Sequence, residues 1–140
     1  MKAILIDPFF KLIVPFEIPP AAVWNPAREV AWIRDKLRCG DYDHVRMGSD
    51  GYCMLVDSNG LLTNWDRQAF FRFCGGLPIA GRALFVRYDL DGILINVEEN
   101  ARNILDFHVD WVKPEDVVIP GESMSGDKYY RRPLANGTHE

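Results

Sequence analysis

Cys74-Gly75-Gly76-Leu77-Pro78-Ile79-Ala80-Gly81-Arg82-Ala83, CGGLPIAGRA, is the stretch on which the fold class turns. Gly76 and Gly81 bracket four residues and are followed by Arg82 and Ala83, close to the G-x-x-x-x-G-K-S/T loop that cradles phosphate between a strand and a helix. Read that way, the stretch would be a nucleotide site. The flanks argue otherwise. After Gly81 comes RALFVRY (Arg82 to Tyr88), a β-prone run entering the turn Asp89-Leu90-Asp91-Gly92. Ala83 stands where the magnesium-binding hydroxyl should be, and Pro78 removes an N–H that a phosphate nest would use. The glycines are therefore expected to turn one strand sharply into its neighbour.

Working outward, Arg82 to Tyr88 and Ile93 to Val97 read as a hairpin. Lys2 to Ile6 and Leu12 to Ile18 read as another, with Pro15 assigning the second strand to an edge or a bulge. Asn25-Pro26 has an N-cap side chain followed by proline at the first helical position, and predicts a helix over about 26 to 39 with Gly40 as its stop. Its apolar stripe is Ala27, Val30, Ala31, Ile33 and Leu37. His44 to Met47, Tyr52 to Asp57 and Leu61-Leu62 are short strands between glycine-bearing turns. Trp65 to Phe73 reads as a short turn feeding a strand. A helical turn is expected at Glu98 to Leu105, then a one-sided strand from Phe107 to Val112, with His108 and Asp110 on its outer face. The fold class is α+β, with a mainly antiparallel, partly rolled or barrel-like sheet built of hairpins and one principal helix.

With 140 residues, 48% of them hydrophobic, the chain can build one core and is short for two. A single α+β domain is expected over residues 1 to 119. From Pro120 onward GESMSGDKYYRRPLANGTHE carries no apolar period, and 120 to 140 is expected to be a flexible tail. A net charge of -4 argues against a whole surface devoted to nucleic acid and leaves room for a local basic patch. No apolar run is long enough to span a membrane, and no secretory leader is recognised, so a cytoplasmic protein is expected. Three widely separated cysteines, Cys39, Cys53 and Cys74, without a C-x-x-C pair, read as reduced thiols.

Charge is segregated along the chain. Between Asp66 and Asp89 lie Arg67, Arg72, Arg82 and Arg87 with no acid among them, and the segment after Asp89 is acidic. Arg82 and Arg87 are five apart, as are Arg67 and Arg72, so on regular strands at most a pair can share a patch. Such a patch, with Trp65 or Tyr88 beside it, could hold a phosphorylated or nucleotide ligand by bidentate contacts and stacking. The competing reading pairs the basic segment with the acidic one inside the protein. Trp32 falls on the polar side of the helix, where either a covering segment or a partner must meet it. Tyr129, Tyr130, Arg131 and Arg132 mix aromatics with bases, as docking segments do. No catalytic constellation, metal-ligand spacing or cofactor motif is recognised.

MKAILIDP, VDSNGLL and FFRFCGGLPIAGRALFVRYDLDG resemble a family of short uncharacterised proteins encoded by phages, plasmids and conjugative elements, over about residues 1 to 112. The resemblance implies context rather than chemistry. Genes of that kind often serve as accessories that bind a host factor or nucleic acid, or counter a host defence by sequestering a signalling nucleotide. The expectation is a non-enzymatic binding module for a host macromolecule or a small anionic, nucleotide-like ligand, with homo-oligomerisation left open. The first alternative is a nucleic-acid-binding regulator that uses the Arg67 to Arg87 region and the tail. The second is a small hydrolase or metal enzyme around His108 and Asp110.

Overall fold

A computed structural model describes residues 1–19, 25–48, 50–117, 120–122 and 128–130, the last two stretches as backbone. The first strands are β1 (Lys2–Asp7) and β2 (Leu12–Glu17), followed by helix α1 (Pro26–Leu37) and strands β3 (Tyr42–Arg46) and β4 (Tyr52–Asp57). Two single 3-10 turns, Gly60–Leu62 and Trp65–Arg67, lead into β5 (Phe70–Phe73), β6 (Ile79–Ala80), β7 (Ala83–Tyr88) and β8 (Leu94–Ile95). Helix α2 (Ala101–His108) and strand β9 (Val109–Val112) follow, then a pair of short strands, β10 (Pro120–Glu122) and β11 (Lys128–Tyr130). The latter two pair with each other in the segment expected as a tail.

The protein is α+β, and every described strand pairing is antiparallel. One sheet runs β2-β1-β7-β4-β3, with β8 continuing beside β7 past the end of β1. It stays open and does not close into a barrel. A second, smaller sheet runs β6-β5-β9. The opening stretch behaves as its flanks require. β5 turns through Cys74 (φ 52°) and Gly75 (φ 68°) into β6, and Gly81 (φ 84°) then launches β7. No helix follows the glycines, and the chain has no phosphate loop there.

β1 and β7 are buried on both sides, which explains why KAILI and ALFV read as unbroken apolar runs rather than alternating ones. Ala3, Leu5, Leu84 and Val86 point towards α1, where they pack with Ile33 and Leu37. Ile4, Ile6, Ala83 and Phe85 point the other way, onto Phe71 of the small sheet and Ala101 and Leu105 of α2. The main sheet is thus the middle of three layers. A third cluster, Trp65, Phe70, Ala80 and Val117, fills the far side of the small sheet.

Two helix expectations need correction. α1 is capped by Asn25, whose Oδ1 accepts from the N–H groups of Ala27 and Arg28 at 3.0 and 3.3 Å. It ends earlier than expected, however, with Arg38 rather than Gly40 taking the left-handed position (φ 55°). Its buried side is Ile33 and Leu37, while Ala27 and Ala31 are exposed, because the sheet meets a narrower arc than the apolar stripe covers. The expected strand from Phe107 begins only at Val109. Ala101, Leu105 and Val109 recur every four residues and all face the core, so the helix period persists through His108 and turns Phe107 out to 83% exposure. His108 therefore ends a helix while Asp110 lies on a strand, and the two do not share a strand face.

Candidate functional site

Five separate segments line an open cavity of about 340 Å³ at one end of the main sheet. The β1–β2 turn supplies Phe9 and Phe10, and the end of α1 supplies Leu37 and Arg38. Asp57 comes from the end of β4, Thr63, Arg67 and Gln68 from the 3-10 segment, and Gly81 and Arg82 from the entry to β7. Arg38, Arg67 and Arg82, spread over 44 residues of sequence, thereby line one space.

Asp7 organises the cavity from behind. Oδ1 accepts the N–H groups of Phe9 and Phe10 at 3.0 and 3.4 Å, which folds the hairpin tip back over the strand end. Oδ2 lies 3.3 Å from Arg82 Nε, with side-chain exposures of 7% for the acid and 14% for the base. Despite that distance the Arg82 Nε–H lacks the alignment of a hydrogen bond and has no other partner. The pair is held by charge, which leaves this guanidinium with donor capacity unspent. Gln68 is fixed at the base of the site, its Nε2 donating to the Gly60 carbonyl at 2.8 Å and its Oε1 accepting from Ala69 N–H at 3.1 Å. Gly60 must be glycine, since a Cβ there would lie 2.6 Å from the Ala80 carbonyl oxygen. Arg67 and Arg38 are exposed, and neither guanidinium has an acidic partner among the described residues. Asp57 is the other carboxylate at the wall, with one oxygen already accepting from Asn59 N–H at 2.9 Å.

The arginine segment read from sequence is divided among three places. Arg67 and Arg82 come together at the cavity, within the limit that strand parity sets. Arg87 sits at the opposite end of β7, where Nη1 lies 3.6 Å from Glu98, Nε donates to the Asp50 carbonyl at 3.1 Å, and the guanidinium covers the Tyr52 ring at 5.1 Å. Arg72 faces Asp110 in register across β5 and β9, with its Nε buried and without a hydrogen bond. Pairing of the basic segment with the acidic one thus accounts for Arg87, while Arg72 is in register with Asp110 without an ion pair to it. The four do not form one continuous patch.

Trp65 is taken up by the core at 3% exposure, its Nε1 donating to the Leu61 carbonyl at 2.9 Å, so it has no face to offer a ligand. Tyr88 is half-buried beside His44, hydroxyl to Nε2 at 3.3 Å, in a row with Tyr42. Burial pushes its hydroxyl well above the ordinary tyrosine range, and the charges of Glu29, Cys53 and Tyr42 add to the shift. Trp32 packs edge-on against Phe16 of β2 at a centroid distance of 5.7 Å, with the Lys36 ammonium 5.5 Å from its ring. The edge strand covers it, as one of the two readings required. The side chains of Tyr129 and Tyr130, together with Arg131 and Arg132, lie outside the described residues.

Sequence reasoning missed Asp7, Phe9, Phe10 and Arg38. A signal existed for the first three: Asp7-Pro8-Phe9-Phe10 puts an N–H-accepting side chain before two aromatics in a tight turn, where neither ring can enter the core. Arg38 gave none, because its place depends on where α1 stops. A second cavity, of about 500 Å³, lies at the other end of the sheet and is lined by Arg46, Asp50 and Glu98 together with Tyr52, Phe73 and Phe85. Among the described residues no three or more His, Cys, Asp or Glu side chains are grouped to hold a metal ion, and no helix is long and apolar enough to cross a membrane. No family model, curated protein or solved structure matches the chain.

Proposed function

We propose that this protein is a non-enzymatic binding module for a small anionic ligand held in the arginine-lined cavity. One observation carries the reading: Arg38, Arg67 and Arg82 from three distant segments line a single space, and among the described residues Arg82 alone of the three is paired with an acid. Planar guanidiniums with free N–H groups suit the oxygens of phosphate or carboxylate, which they can meet in bidentate fashion. A cavity of about 340 Å³ lies at the small end of the range for ligand sites.

Titration of the protein with inorganic phosphate, followed by amide NMR, tests this. Shifts are expected to concentrate at Phe9, Phe10, Arg38, Thr63, Arg67 and Gly81, and Arg67→Ala should weaken binding about tenfold, the scale of one charge-assisted contact. Phosphate that leaves these amides unmoved at millimolar concentration would sink the reading. Turnover of a nucleotide or ester by the purified protein, abolished by Arg82→Ala, would replace it with an enzymatic one.

A further inference from the structure

Resting on the anion-binding reading, we infer that the ligand is a nucleoside monophosphate, whose phosphate meets the arginines and whose base lies against Phe9 and Phe10. Both rings line the arginine cavity, at 46% and 69% exposure. Scattered exposed apolar residues are ordinary on a protein surface. Two adjacent phenylalanines at the wall of a cavity that also carries three guanidiniums are a different matter, because together they offer one ligand a charged end and a flat apolar end. The two ends are mechanically joined. Asp7 Oδ1 holds the backbone of both phenylalanines, while Asp7 Oδ2 pairs with Arg82, so one buried carboxylate sets the aromatic wall relative to the cationic one.

Size and charge choose among nucleotides. Arg38, Arg67 and Arg82, counted with Asp57 at the wall and Asp7 behind Arg82, leave about one net positive charge. A phosphate monoester, at roughly -1.5 to -2, leaves about a half to one negative charge over. A triphosphate would bring far more charge than the cavity offsets, into a volume at the lower limit for ligand sites. The stacking faces expected from sequence were Trp65 and Tyr88. The hairpin tip takes that role because Trp65 is buried in the core and Tyr88 lies beside His44, where neither lines the cavity.

Calorimetric titration with adenosine 5′-monophosphate and with ribose 5-phosphate separates the two ends. Stacking on an aromatic side chain should make the nucleotide bind about tenfold more tightly than the sugar phosphate. In a variant carrying Phe9→Ala and Phe10→Ala the advantage of the nucleotide over ribose 5-phosphate should vanish. Equal binding of the two ligands by the unsubstituted protein would overturn the nucleotide inference and leave the anion reading standing. So would a nucleotide preference that survives loss of both phenylalanines. Failure of both ligands to bind would end the anion reading and this inference with it.

Discussion

Asp7 shows how much a single residue can settle here. Read along the chain it is a turn acid before proline, and in the fold it is a buried carboxylate whose two oxygens serve different partners. The thiols show the same dependence on surroundings. Cys39 sits half-buried just past α1, and burial first, then the negative charges of Asp57 and Asp41 against the opposing Arg34, raises it from 9.0 to about 11. Iodoacetamide alkylation of Cys39 should therefore show a rate midpoint near pH 11, while the same cysteine in the denatured chain reacts with a midpoint near 9. Because the folded thiol binds its proton more tightly than the unfolded one, its stabilising effect is complete below pH 9 and is lost as pH rises towards 11. A Cys39 midpoint at the denatured value would refute the assigned burial. Cys74 is exposed and Cys53 buried, so reagent at neutral pH should label Cys74 first.

Among the elements, α1 is where local rules and the site pull in different directions. Its start was legible because Asn25 and Pro26 act within a few residues of themselves. Its end was not: Arg38 adopts φ 55°, a conformation that costs a side-chain-bearing residue about 1 kcal/mol relative to glycine, two residues before a glycine that could have taken it. Arg38 in that conformation lines the cavity. Arg38→Gly is accordingly expected to raise stability to denaturant by about 1 kcal/mol and to weaken phosphate binding about tenfold. A variant that binds phosphate as well as the unsubstituted protein would remove Arg38 from the site. α2 misled for a related reason. Phe107, Val109 and Trp111 alternate as a strand should, yet the four-residue spacing of Ala101, Leu105 and Val109 carries more buried surface, and burial decides between two periods that overlap.

At the scale of the whole molecule, β7 is the hub. It pairs with β1, β4 and β8 and contributes Leu84 and Val86 to one core face and Ala83 and Phe85 to the other. Gly51 locks the start of β4 against its end: Gly51 carbonyl accepts from Tyr88 N–H at 2.8 Å, and a Cβ at Gly51 would fall 2.1 Å from the Tyr88 carbonyl oxygen. Hydrogen exchange should find the amides of Leu84 to Val86 among the last to exchange, with those of the edge strand β3 opening well before them. Equal protection in β3 and β7 would contradict this order. The Arg38–Arg67–Arg82 cavity opens at the end of the same sheet that β7 centres, with Arg82 just before the start of β7 and Arg38 and Arg67 on the end of α1 and a 3-10 turn.

The stretch from Cys74 to Ala83 marks the boundary between what could be read and what could not. Its own residues sufficed to reject a phosphate loop and announce a hairpin, because turn glycines, a proline and β-branched neighbours act over a few bonds. The start of α1, the β7–β8 hairpin and the antiparallel α+β class were legible for the same reason. Strand order, the burial of β1 and β7 on both faces and the meeting of Arg38, Arg67 and Arg82 were not, since they depend on which distant segments exclude water together. Segregated charge along the chain indicated a basic segment that either shared at most a pair of arginines in a patch or paired with the acidic segment. Packing divided the basic segment, giving Arg87 to Glu98, setting Arg72 opposite Asp110, and leaving Arg82 half-neutralised by Asp7 at the wall of a cavity whose aromatic side comes from a turn seventy residues earlier.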